Sequence, residues 1–456
     1  MNNINVVILA AGSGSRMKST TPKVLHEVAG QPMIDWVLRA VEGLAPAELF
    51  TVVGVGAEQV VDYVGERSQF VLQAEQLGTG HAVLQTRAHL VDKDGVTLIM
   101  AGDTPMFRAE TLAEFIAAHE NTHNAVTVLT AFTDDPTGYG RIVRGDDDNV
   151  LKIVEQKDAS ATERKIREIN TGVFVFDNKL LFEALDSVGN QNAQGEYYLP
   201  DTLDILRRDG HQIGAHTLHD FTESLGVNDR VALSVANRVM RGRINQTLMQ
   251  SGVELVDPAT TYIDADVQIG QDTLIEANVV IKGATTIGQN VTITAGSRIE
   301  DSQIGDNVVI NASQIHGAVM ADGSDIGPFG HLRKGAHLAE NVHVGNFVEV
   351  KNATLGANTK AGHLSYVGDA TVGANVNIGA GTIFVNYDGV NKYQTTIGDD
   401  AFIGSNTKLV APLTLGDRII TAAGSTITEN LPDEAMGIAR TRQTTKENFW
   451  ARMPHK

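Results

Sequence analysis

A six-residue repeat of aliphatic residues runs through the second half of the chain. Its members, spaced six apart within each run, are Ile269, Ile275, Ile281, Ile287, Ile293 and Ile299, then Leu332, Leu338, Val344 and Val350, and finally Ile397, Ile403, Leu409 and Leu415. This period fits neither the 3.6-residue turn of a helix nor the two-residue alternation of a strand. It fits a short strand followed by a corner, with three hexads closing one triangular coil of a solenoid. We therefore predict a solenoid over residues 251–456.

One interruption of this repeat predicts an inserted loop. From Ile383 to Ile397 there are fourteen residues, eight more than a hexad. Solenoids tolerate insertions at their corners, and such insertions often form the binding face. We expect residues 384–396 to leave the solenoid as a loop.

The first half of the chain has a different pattern. Short apolar runs such as "VVILAAG" and "TLIMAGD" alternate with amphipathic stretches such as "PMIDWVLRAVEGL". This alternation predicts an α/β domain over residues 1–229, with a parallel sheet and helical crossovers. The stretch 230–250 has an apolar stripe at helical spacing and is interpreted as a connecting helix.

Composition narrows the classes of function. The formal charge of −19 argues against broad nucleic-acid binding, because phosphate backbones are held by basic patches. The lack of cysteine excludes disulfides, thiolate-bound zinc and a thiol nucleophile, and it fits a reducing cytoplasm. The chain has neither a signal-peptide pattern nor an apolar run of membrane-spanning length, so no membrane association is expected.

The loop "GSGSRMKSTTPK" after the first apolar run allows two interpretations. A Gly-rich turn after a strand often brings backbone N–H groups to a phosphate, with Arg16 and Lys23 as cations. The alternative is an ordinary strand-to-helix turn in which Lys23 is a solvated surface charge. Met17 breaks the dinucleotide-binding pattern, and the Walker A ending is missing. Asp103, after another apolar run, is either a hard oxygen ligand for Mg²⁺ or a turn residue.

The solenoid contains candidate residues of its own. Arg333 and Lys351 lie one 18-residue coil apart, and parallel layers are spaced by about 4.8 Å. Two cations this close are either splayed into solvent or bridged by an anion such as phosphate. His363 is either a corner residue or a proton acceptor suited to neutral pH.

Motifs along the whole chain are similar to those of known families. "LAAGSGSRM…PKVL", "QAEQLGTGHA", "AGDTP", "PTGYGRI", "VEQKDA", "EINTG", "NAQGEYYL" and "GVNDR" resemble the Rossmann-like nucleotidyltransferases that make nucleotide sugars. The six-residue repeat resembles the left-handed parallel β-helix of hexapeptide-repeat acyltransferases. Together they resemble the bacterial bifunctional enzymes that acetylate glucosamine-1-phosphate and transfer a uridylyl group from UTP to N-acetylglucosamine-1-phosphate.

The resemblance implies roles for the first half. Arg16 and Lys23 would be catalytic, and Asp103 and Asn228 would bind Mg²⁺. The residues implied to bind UDP-N-acetylglucosamine are Leu9, Ala10, Ala11, Gly12, Lys23, Gln73, Gly78, Thr79, Gly140, Glu155, Asn170 and Asn228.

The resemblance also implies roles for the solenoid. His363 would be the general base of acetyl transfer. Glucosamine-1-phosphate would be bound by Arg333, Lys351, Tyr366, Asn377 and Lys392. Acetyl-CoA would be bound by Ala380, Asn386, Tyr387, Ser405, Ala423 and Arg440. The inserted loop would reach into a neighbouring subunit of a homotrimer.

Other functions remain open at this point. A monofunctional sugar-nucleotide pyrophosphorylase or a non-catalytic regulatory subunit could carry a purely structural β-helix, and neither would use acetyl-CoA. Lys334, in "LRKGA", departs from the proline of the family pattern and adds a cation beside Arg333.

Overall fold

In the computed structural model, which describes residues 3–146 and 148–454, the chain divides into two units, Met1–Met240 and Arg241–Lys456. The strands of the first unit are β1 Ile4–Ala10, β2 Glu27–Val28, β3 Gln31–Pro32, β4 Glu48–Val53, β5 Gln69–Leu72, β6 Val96–Ala101, β7 Val126–Phe132, β8 Arg141–Arg144, β9 Val150–Val154, β10 Glu168–Asp177 and β11 Ile213–Thr217. The α-helices are α1 Met33–Glu42, α2 Ala57–Val64, α3 Thr79–Leu84, α4 Arg87–Leu90, α5 Ala109–Thr122, α6 Asn178–Leu185, α7 Asp201–Arg208 and α8 Arg230–Gln250. The 3-10 helices are Ser15–Met17, Lys23–Leu25, Gly65–Arg67, Glu163–Lys165, Phe221–Ser224 and, in the second unit, Phe449–Arg452.

The main sheet of the first unit is mixed rather than parallel. Its strand order is β11-β7-β10-β6-β1-β4-β5, with β8 pairing with β10 and β9 with β8. β10 runs antiparallel to β6, β7 and β8. The prediction of a parallel sheet is therefore wrong for this strand. A parallel neighbour requires a crossover, usually helical, and the described residues between β7 and β10 contain no α-helix.

Helices cover both faces of this sheet. Side chains alternate along β1, so Val6 and Ile8 pack against α1 and α5, whereas Val7 packs on the opposite side with α6 and α7. β1, β4, β5 and β6 are parallel, so their carboxyl ends lie along the same edge of the sheet. Nucleotide sites of open α/β sheets occur at this edge.

The second unit is a parallel β-helix, as the six-residue repeat predicts, with three strand faces. The first face contains Glu254–Leu255, Leu274–Ile275, Thr292–Ile293, Val309–Ile310, Asp325–Ile326, His343–Asn346, Lys360–His363, Asn377–Ile378, Phe402–Ile403, Ile420–Thr421 and Met436–Gly437. The second contains Tyr262–Ile263, Val280–Lys282, Arg298–Glu300, Gln314–His316, His331–Leu332, Glu349–Leu355, Tyr366–Val372, Ile383–Val385, Lys408–Val410 and Thr426–Ile427. The third contains Gln268–Ile269, Thr286–Ile287, Gln303–Ile304, Val319–Met320, His337–Leu338, Thr395–Ile397 and Leu413–Leu415, and the ends of Glu349–Leu355 and Tyr366–Val372.

The aliphatic residues of the repeat fill the interior of this β-helix. Ile275, Ile281, Ile293 and Ile299 are fully buried. The gap in the repeat after Ile299 comes from shorter coils. Thr292 pairs with Val309 and Val309 with Asp325, steps of seventeen and sixteen residues instead of eighteen. The corners are shortened there, but the inward side chains still stack.

The inserted loop is shorter than predicted. The inward residue before it is Phe384, which is fully buried and lies opposite Leu409, whereas Ile383 is 37% exposed. Residues 384–385 and 395–396 belong to the strands Ile383–Val385 and Thr395–Ile397. We call residues 386–394 the insertion loop.

A line of aspartates links the coils at the corner before the first face. Each carboxylate accepts a hydrogen bond from a backbone N–H of the preceding coil. These bonds run to Asp306 from Gln289 (2.8 Å), to Asp322 from Asp306 (2.8 Å), to Asp399 from Ala374 (2.7 Å), to Asp417 from Asp399 (2.9 Å) and to Asp433 from Asp417 (3.0 Å). In each of these coils, a backbone N–H at the corner is thus hydrogen-bonded by an aspartate of the following coil.

The helices within residues 3–146 and 148–454 include none that is long and apolar enough to cross a bilayer.

Candidate functional sites

A cavity of about 300 Å³ opens at the carboxyl ends of β1 and β6. It is lined by Leu9, Ala10, Ala11, Gly12, Lys23, Val24, Gln73, Gln76, Gly78, Thr79, Ala82, Ala101, Asp103 and Glu196. The cavity therefore brings together the candidate nucleotide-binding residues of two separate sequence motifs with Lys23 and Asp103.

The Gly-rich loop packs closely around Lys23. Gly14 has a φ of +59°, and a Cβ at this position would lie 2.7 Å from the Cβ of Lys23. Only glycine combines this conformation with so close an approach. The 3-10 turn Ser15–Met17 follows Gly14, and its last residue, Met17, is buried and anchors it. The sequence "GSGSRM" thus forms a tight turn that holds Lys23 at the cavity wall.

Lys23 is not a solvated surface charge. Its side chain is 14% exposed, and its ammonium forms an ion pair with Asp103 and donates a hydrogen bond to Asn228 Oδ1 (2.7 Å). Arg16 Nη2 donates to the same oxygen (2.9 Å). The two candidate catalytic cations and the two candidate metal ligands therefore form one polar cluster at the cavity, although Arg16 and Asn228 do not line it.

The oxygens of this cluster fit a magnesium ion. The Asp103 carboxylate and the Asn228 amide oxygen both contact the Lys23 ammonium, so they converge on a position that already holds a positive charge. Carboxylate and amide oxygens are ligands that Mg²⁺ accepts, usually with waters and substrate phosphates completing the shell.

Gln73 forms part of the opposite wall of the cavity. Its side chain is buried, and Nε2 donates to Gly78 O (3.1 Å). Thr79 Oγ1 accepts a hydrogen bond from the backbone N–H of Leu199 (3.0 Å). The first contact closes the segment after β5 on itself, and the second joins the start of α3 to the segment before α7.

Gly140, just before β8, Glu155, just after β9, and Asn170, on β10, form a separate group. The N–H of Asn170 donates to Gly140 O (2.9 Å), and a Cβ at Gly140 would lie 2.9 Å from Glu155 Oε1. Burial raises the pKa of Glu155, with smaller contributions from Asp158 and Asp201. The three candidate sugar-binding residues are thus adjacent but outside the lining of the cavity.

In the β-helix, His363 has a neighbour that fixes its tautomer. Its Nδ1 is 2.7 Å from Asn346 Oδ1. Asn346 occupies the equivalent corner position of the preceding coil. An amide oxygen can only accept, so Nδ1 carries the proton. In the neutral ring, Nε2 is then left with a lone pair, as a general base requires.

The candidate acetyl-CoA residues continue this corner. Ile378 pairs with Ile403 and Ile403 with Thr421, so Ala380, Ser405 and Ala423 occupy equivalent positions in successive coils. His363 occupies that position in the coil before Ala380, because Ala361 pairs with Ile378. The side chain of Arg440 lies near Gly424 on the same side. A continuous line thus leads from the candidate base along the candidate coenzyme residues.

The candidate phosphate-binding cations cluster at the next corner. Leu332 pairs with Val350, so Arg333 and Lys351 stack in adjacent coils. The nearby Lys392 ammonium lowers the pKa of Lys351, and Arg333 contributes in the same direction. Arg333 is itself paired with Glu349 (2.8 Å). Lys392 belongs to the insertion loop of the same chain.

Three other candidates stand at different places. Tyr366 opens the strand that crosses from the His363 corner to the cation cluster, and its hydroxyl accepts a hydrogen bond from Asn386 Nδ2 (3.4 Å). Tyr387 is exposed, with its hydroxyl donating to Gly389 O (2.6 Å). Asn377 lies on the first face, between Lys360 and Phe402, whereas the cations follow the second face.

Sequence reasoning missed several residues of these sites. Arg141 is fully buried, donates to Gln156 Oε1 (2.6 Å) and carries a positive charge close to Glu155. Asn346 could have been found by stepping back one 17-residue coil from His363. Glu349 forms an ion pair with Arg333 but lies in register with His331, so the coil step does not reveal it. Glu196 reaches the nucleotide cavity from a distant loop and also has no such signal.

The fold and these sites define a class of protein: a nucleotidyltransferase unit followed by a hexapeptide-repeat acyltransferase unit. Family models match the same parts, namely the MobA-like NTP transferase domain over residues 6–168, the GMPPB C-terminal domain over 258–355 and the hexapeptide repeat of succinyl-transferase over 394–429.

Full-length relatives identify the family. The bifunctional protein GlmU of Latilactobacillus sakei subsp. sakei is 56% identical over 454 residues, covering 100% of this chain and 98% of the relative. The GlmU proteins of Limosilactobacillus reuteri and Streptococcus agalactiae are 55% and 52% identical, covering 100% and 98% of this chain and the same shares of those relatives. The chain belongs to the GlmU family of bifunctional enzymes.

Proposed function

We propose that the chain carries out two consecutive steps of UDP-N-acetylglucosamine synthesis. The β-helix transfers an acetyl group from acetyl-CoA to glucosamine-1-phosphate. The first unit then couples the N-acetylglucosamine-1-phosphate to UTP, forming UDP-N-acetylglucosamine and pyrophosphate. The observation that carries this proposal is the presence of one equipped site in each unit: the Lys23 cluster at the cavity and the His363–Asn346 pair on the β-helix.

In uridylyl transfer, a phosphate oxygen of the sugar phosphate attacks the α-phosphorus of UTP, and pyrophosphate leaves. Arg16 and Lys23 neutralise the charge that builds on the phosphate oxygens. Asp103 and Asn228 would hold Mg²⁺, which when bound offsets the same charge. The cavity walls at Gln73, Gly78 and Thr79, and at residues 9–12, hold the uridine nucleotide, and Gly140, Glu155 and Asn170 face the sugar.

In acetyl transfer, the amine of glucosamine-1-phosphate attacks the thioester carbon. His363 Nε2 accepts the proton that the amine loses, while Asn346 keeps the ring in the required tautomer and orientation. The C–S bond breaks, and the coenzyme A thiolate leaves and is protonated. Direct attack fits a chain without cysteine.

We also propose that the acetyltransferase site is shared between chains of a homotrimer. Within one chain, Asn377 lies on the first face, and His363 and the cations Arg333, Lys351 and Lys392 follow different corners. A second copy beside the first would bring groups from different faces around one substrate. This supports a composite site, in which the corner of Ala380, Ser405 and Ala423 and residues Asn386, Tyr387 and Arg440 hold the coenzyme.

Omission of substrates tests both activities. The purified protein is mixed with glucosamine-1-phosphate, acetyl-CoA, UTP and Mg²⁺, each left out in turn, and products are identified by mass. We expect acetylated sugar phosphate without UTP, and UDP-N-acetylglucosamine only with all components. A protein that never consumes acetyl-CoA would be a pyrophosphorylase with a structural β-helix.

Two variants separate the sites. His363→Ala should slow acetylation by about 10² to 10⁴-fold and leave uridylyl transfer from supplied N-acetylglucosamine-1-phosphate unchanged. Lys23→Ala should show the reverse. Equal loss of both activities in either variant would contradict separate sites.

A further inference from the structure

The insertion loop is a hairpin that holds itself together. The N–H of Tyr393 donates to Asn386 O (2.8 Å), and Tyr387 and Lys392 form an antiparallel bridge. Asp388 Oδ1 closes the tip by accepting from the N–H groups of Val390 (2.8 Å) and Asn391 (2.6 Å). Such a hairpin keeps its shape, so its position depends on how its root is fixed.

Asp369 fixes that root. Its Oδ2 accepts from Asn386 Nδ2 (2.5 Å), and its Oδ1 accepts from Asn352 Nδ2 (2.6 Å). Asn386 begins the hairpin and is 9% exposed, and Asn352 directly follows Lys351. One carboxylate therefore joins the hairpin to the strand that carries Lys351.

The hydrogen bonds of Asp369 oppose the electrostatic repulsion between Lys392 of the hairpin and Lys351 of the strand. Lys392 of the hairpin and Arg333 both lie close to Lys351, and the repulsion between like charges pushes the hairpin away from the strand. Arg333 has Glu349 as its own partner. Asp369 supplies both the opposite charge near Lys351 and the hydrogen bonds that keep the hairpin in place.

We propose that Asp369 is a positioning residue of the acetyltransferase, which holds Lys392 beside Lys351 before the anionic sugar phosphate binds. The assignment of the cations to the sugar phosphate rests on the proposed function. A preassembled pair of cations binds an anion more tightly, because the cost of bringing the cations together is already met by the fold. Asp369 itself acts through Asn386 and Asn352.

Asp369→Asn is a clean test of this role. Asp369 has a φ of +48°, and asparagine tolerates this left-handed conformation as well as aspartate does. The variant removes the charge and turns one acceptor into a donor. Asp400→Asn is the matched control, because Asp400 has a φ of +56° and accepts a hydrogen bond from the amide of Asn375 (3.1 Å).

Steady-state kinetics with glucosamine-1-phosphate give the first readout. Asp369→Asn should raise the KM for this substrate by about tenfold or more, as expected for lost hydrogen bonds to a charged group, with kcat within about twofold of the parent. Asp400→Asn should leave both parameters unchanged, and uridylyl transfer should be unaffected in both. An unchanged KM in Asp369→Asn would overturn the proposal.

A double variant tests whether the effect passes through Lys392. If Asp369 acts by holding Lys392, adding Asp369→Asn to Lys392→Ala should raise the KM no further than Lys392→Ala alone. Effects that multiply would overturn the proposed role.

Limited proteolysis tests the junction without any substrate. Trypsin should cut after Lys392 faster in Asp369→Asn than in Asp400→Asn, because the hairpin is released from the strand. Asn352→Gly removes one of the two hydrogen bonds without straining the backbone, so it should increase the rate of cleavage after Lys392 by less. This variant replaces Asp369→Asn in the test if Asp369→Asn does not fold. Equal cleavage of the folded variants and the parent would overturn the junction, whereas a parent without acetyltransferase activity would refute only the proposed function.

Discussion

Gly368 offers a sharp test of the sugar-phosphate site, because it makes room for an aromatic ring. Gly368 pairs with Lys351 of the preceding coil, and the ring of Tyr366 lies against it. A Cβ at Gly368 would lie 2.4 Å from the hydroxyl oxygen of Tyr366 and 2.5 Å from the ring carbon that bears it. The backbone of Gly368 is outside the left-handed region, so Gly368→Ala strains the ring position and not the main chain.

The size of the effect follows from what the displaced ring loses. The hydroxyl of Tyr366 is 3.4 Å from Asn386 Nδ2 and is proposed to contact the sugar phosphate. A hydrogen bond to a charged ligand contributes about 1.5–3 kcal/mol. Its loss corresponds to about 10-fold to 150-fold weaker binding of glucosamine-1-phosphate.

The assay is the release of coenzyme A thiol at varied glucosamine-1-phosphate. We expect Gly368→Ala to raise the KM within this range, and Tyr366→Phe to raise it similarly, because both remove the hydroxyl from the substrate. Gly189→Ala is the control, since a Cβ there meets no atom within 4 Å. A Gly368→Ala enzyme with the KM of the parent, correctly folded, would refute the placement of Tyr366.

Three further predictions follow from the geometry. Asp103→Asn keeps the size of the side chain but removes the anionic ligand, so formation of UDP-sugar should fall by about 10²-fold or more, and a parental rate would rule out its metal role. Mixing a chain that lacks the insertion loop, residues 386–394, with His363→Ala should restore acetyltransferase activity if one site combines two chains, whereas failure despite proven subunit exchange would place each site within one chain. Burial lowers the pKa of His119 to about 4, so the unfolded state binds the proton more tightly. The stability of the first unit should therefore fall by about 2 kcal/mol from pH 7 to pH 5, measured by hydrogen exchange, and His119→Gln should remove most of this loss.

The β-helix could be predicted because its inward aliphatic residues recur at a short, regular spacing along the sequence. The six-residue spacing no longer identifies inward residues where a corner is one residue shorter. Ile304 is buried like Ile299 but follows it after five residues instead of six. The direction of β10 could not be derived from its apolar pattern. Buried strands look alike in either direction, and what decides is whether a helix lies between them.

The candidate sites were predictable in part. Asp103 stands next to the end of β6 and Lys23 follows the Gly-rich loop after β1, so the same sheet edge gathers them. His363 and Lys351 occupy fixed steps of the repeat. Asp369 and Glu349 have only acidic side chains on outward positions, a pattern common to the whole β-helix. Their importance follows from particular partners, Asn386 and Arg333, which depend on a hairpin and a rotamer that the spacing does not encode.

The line of aspartates gives the β-helix a polarity that its symmetric interior lacks. Asp399 is fastened by Asp417, and Asp417 by Asp433, so every linked coil depends on a residue further along the chain. Removing coils from the carboxyl end therefore exposes an unbonded N–H on the new last coil, whereas removing them from the amino end leaves all remaining bonds of this line intact. Shortening should then be tolerated far better from the amino end, and during synthesis on the ribosome each of these coils stays incompletely fastened until the next one has emerged.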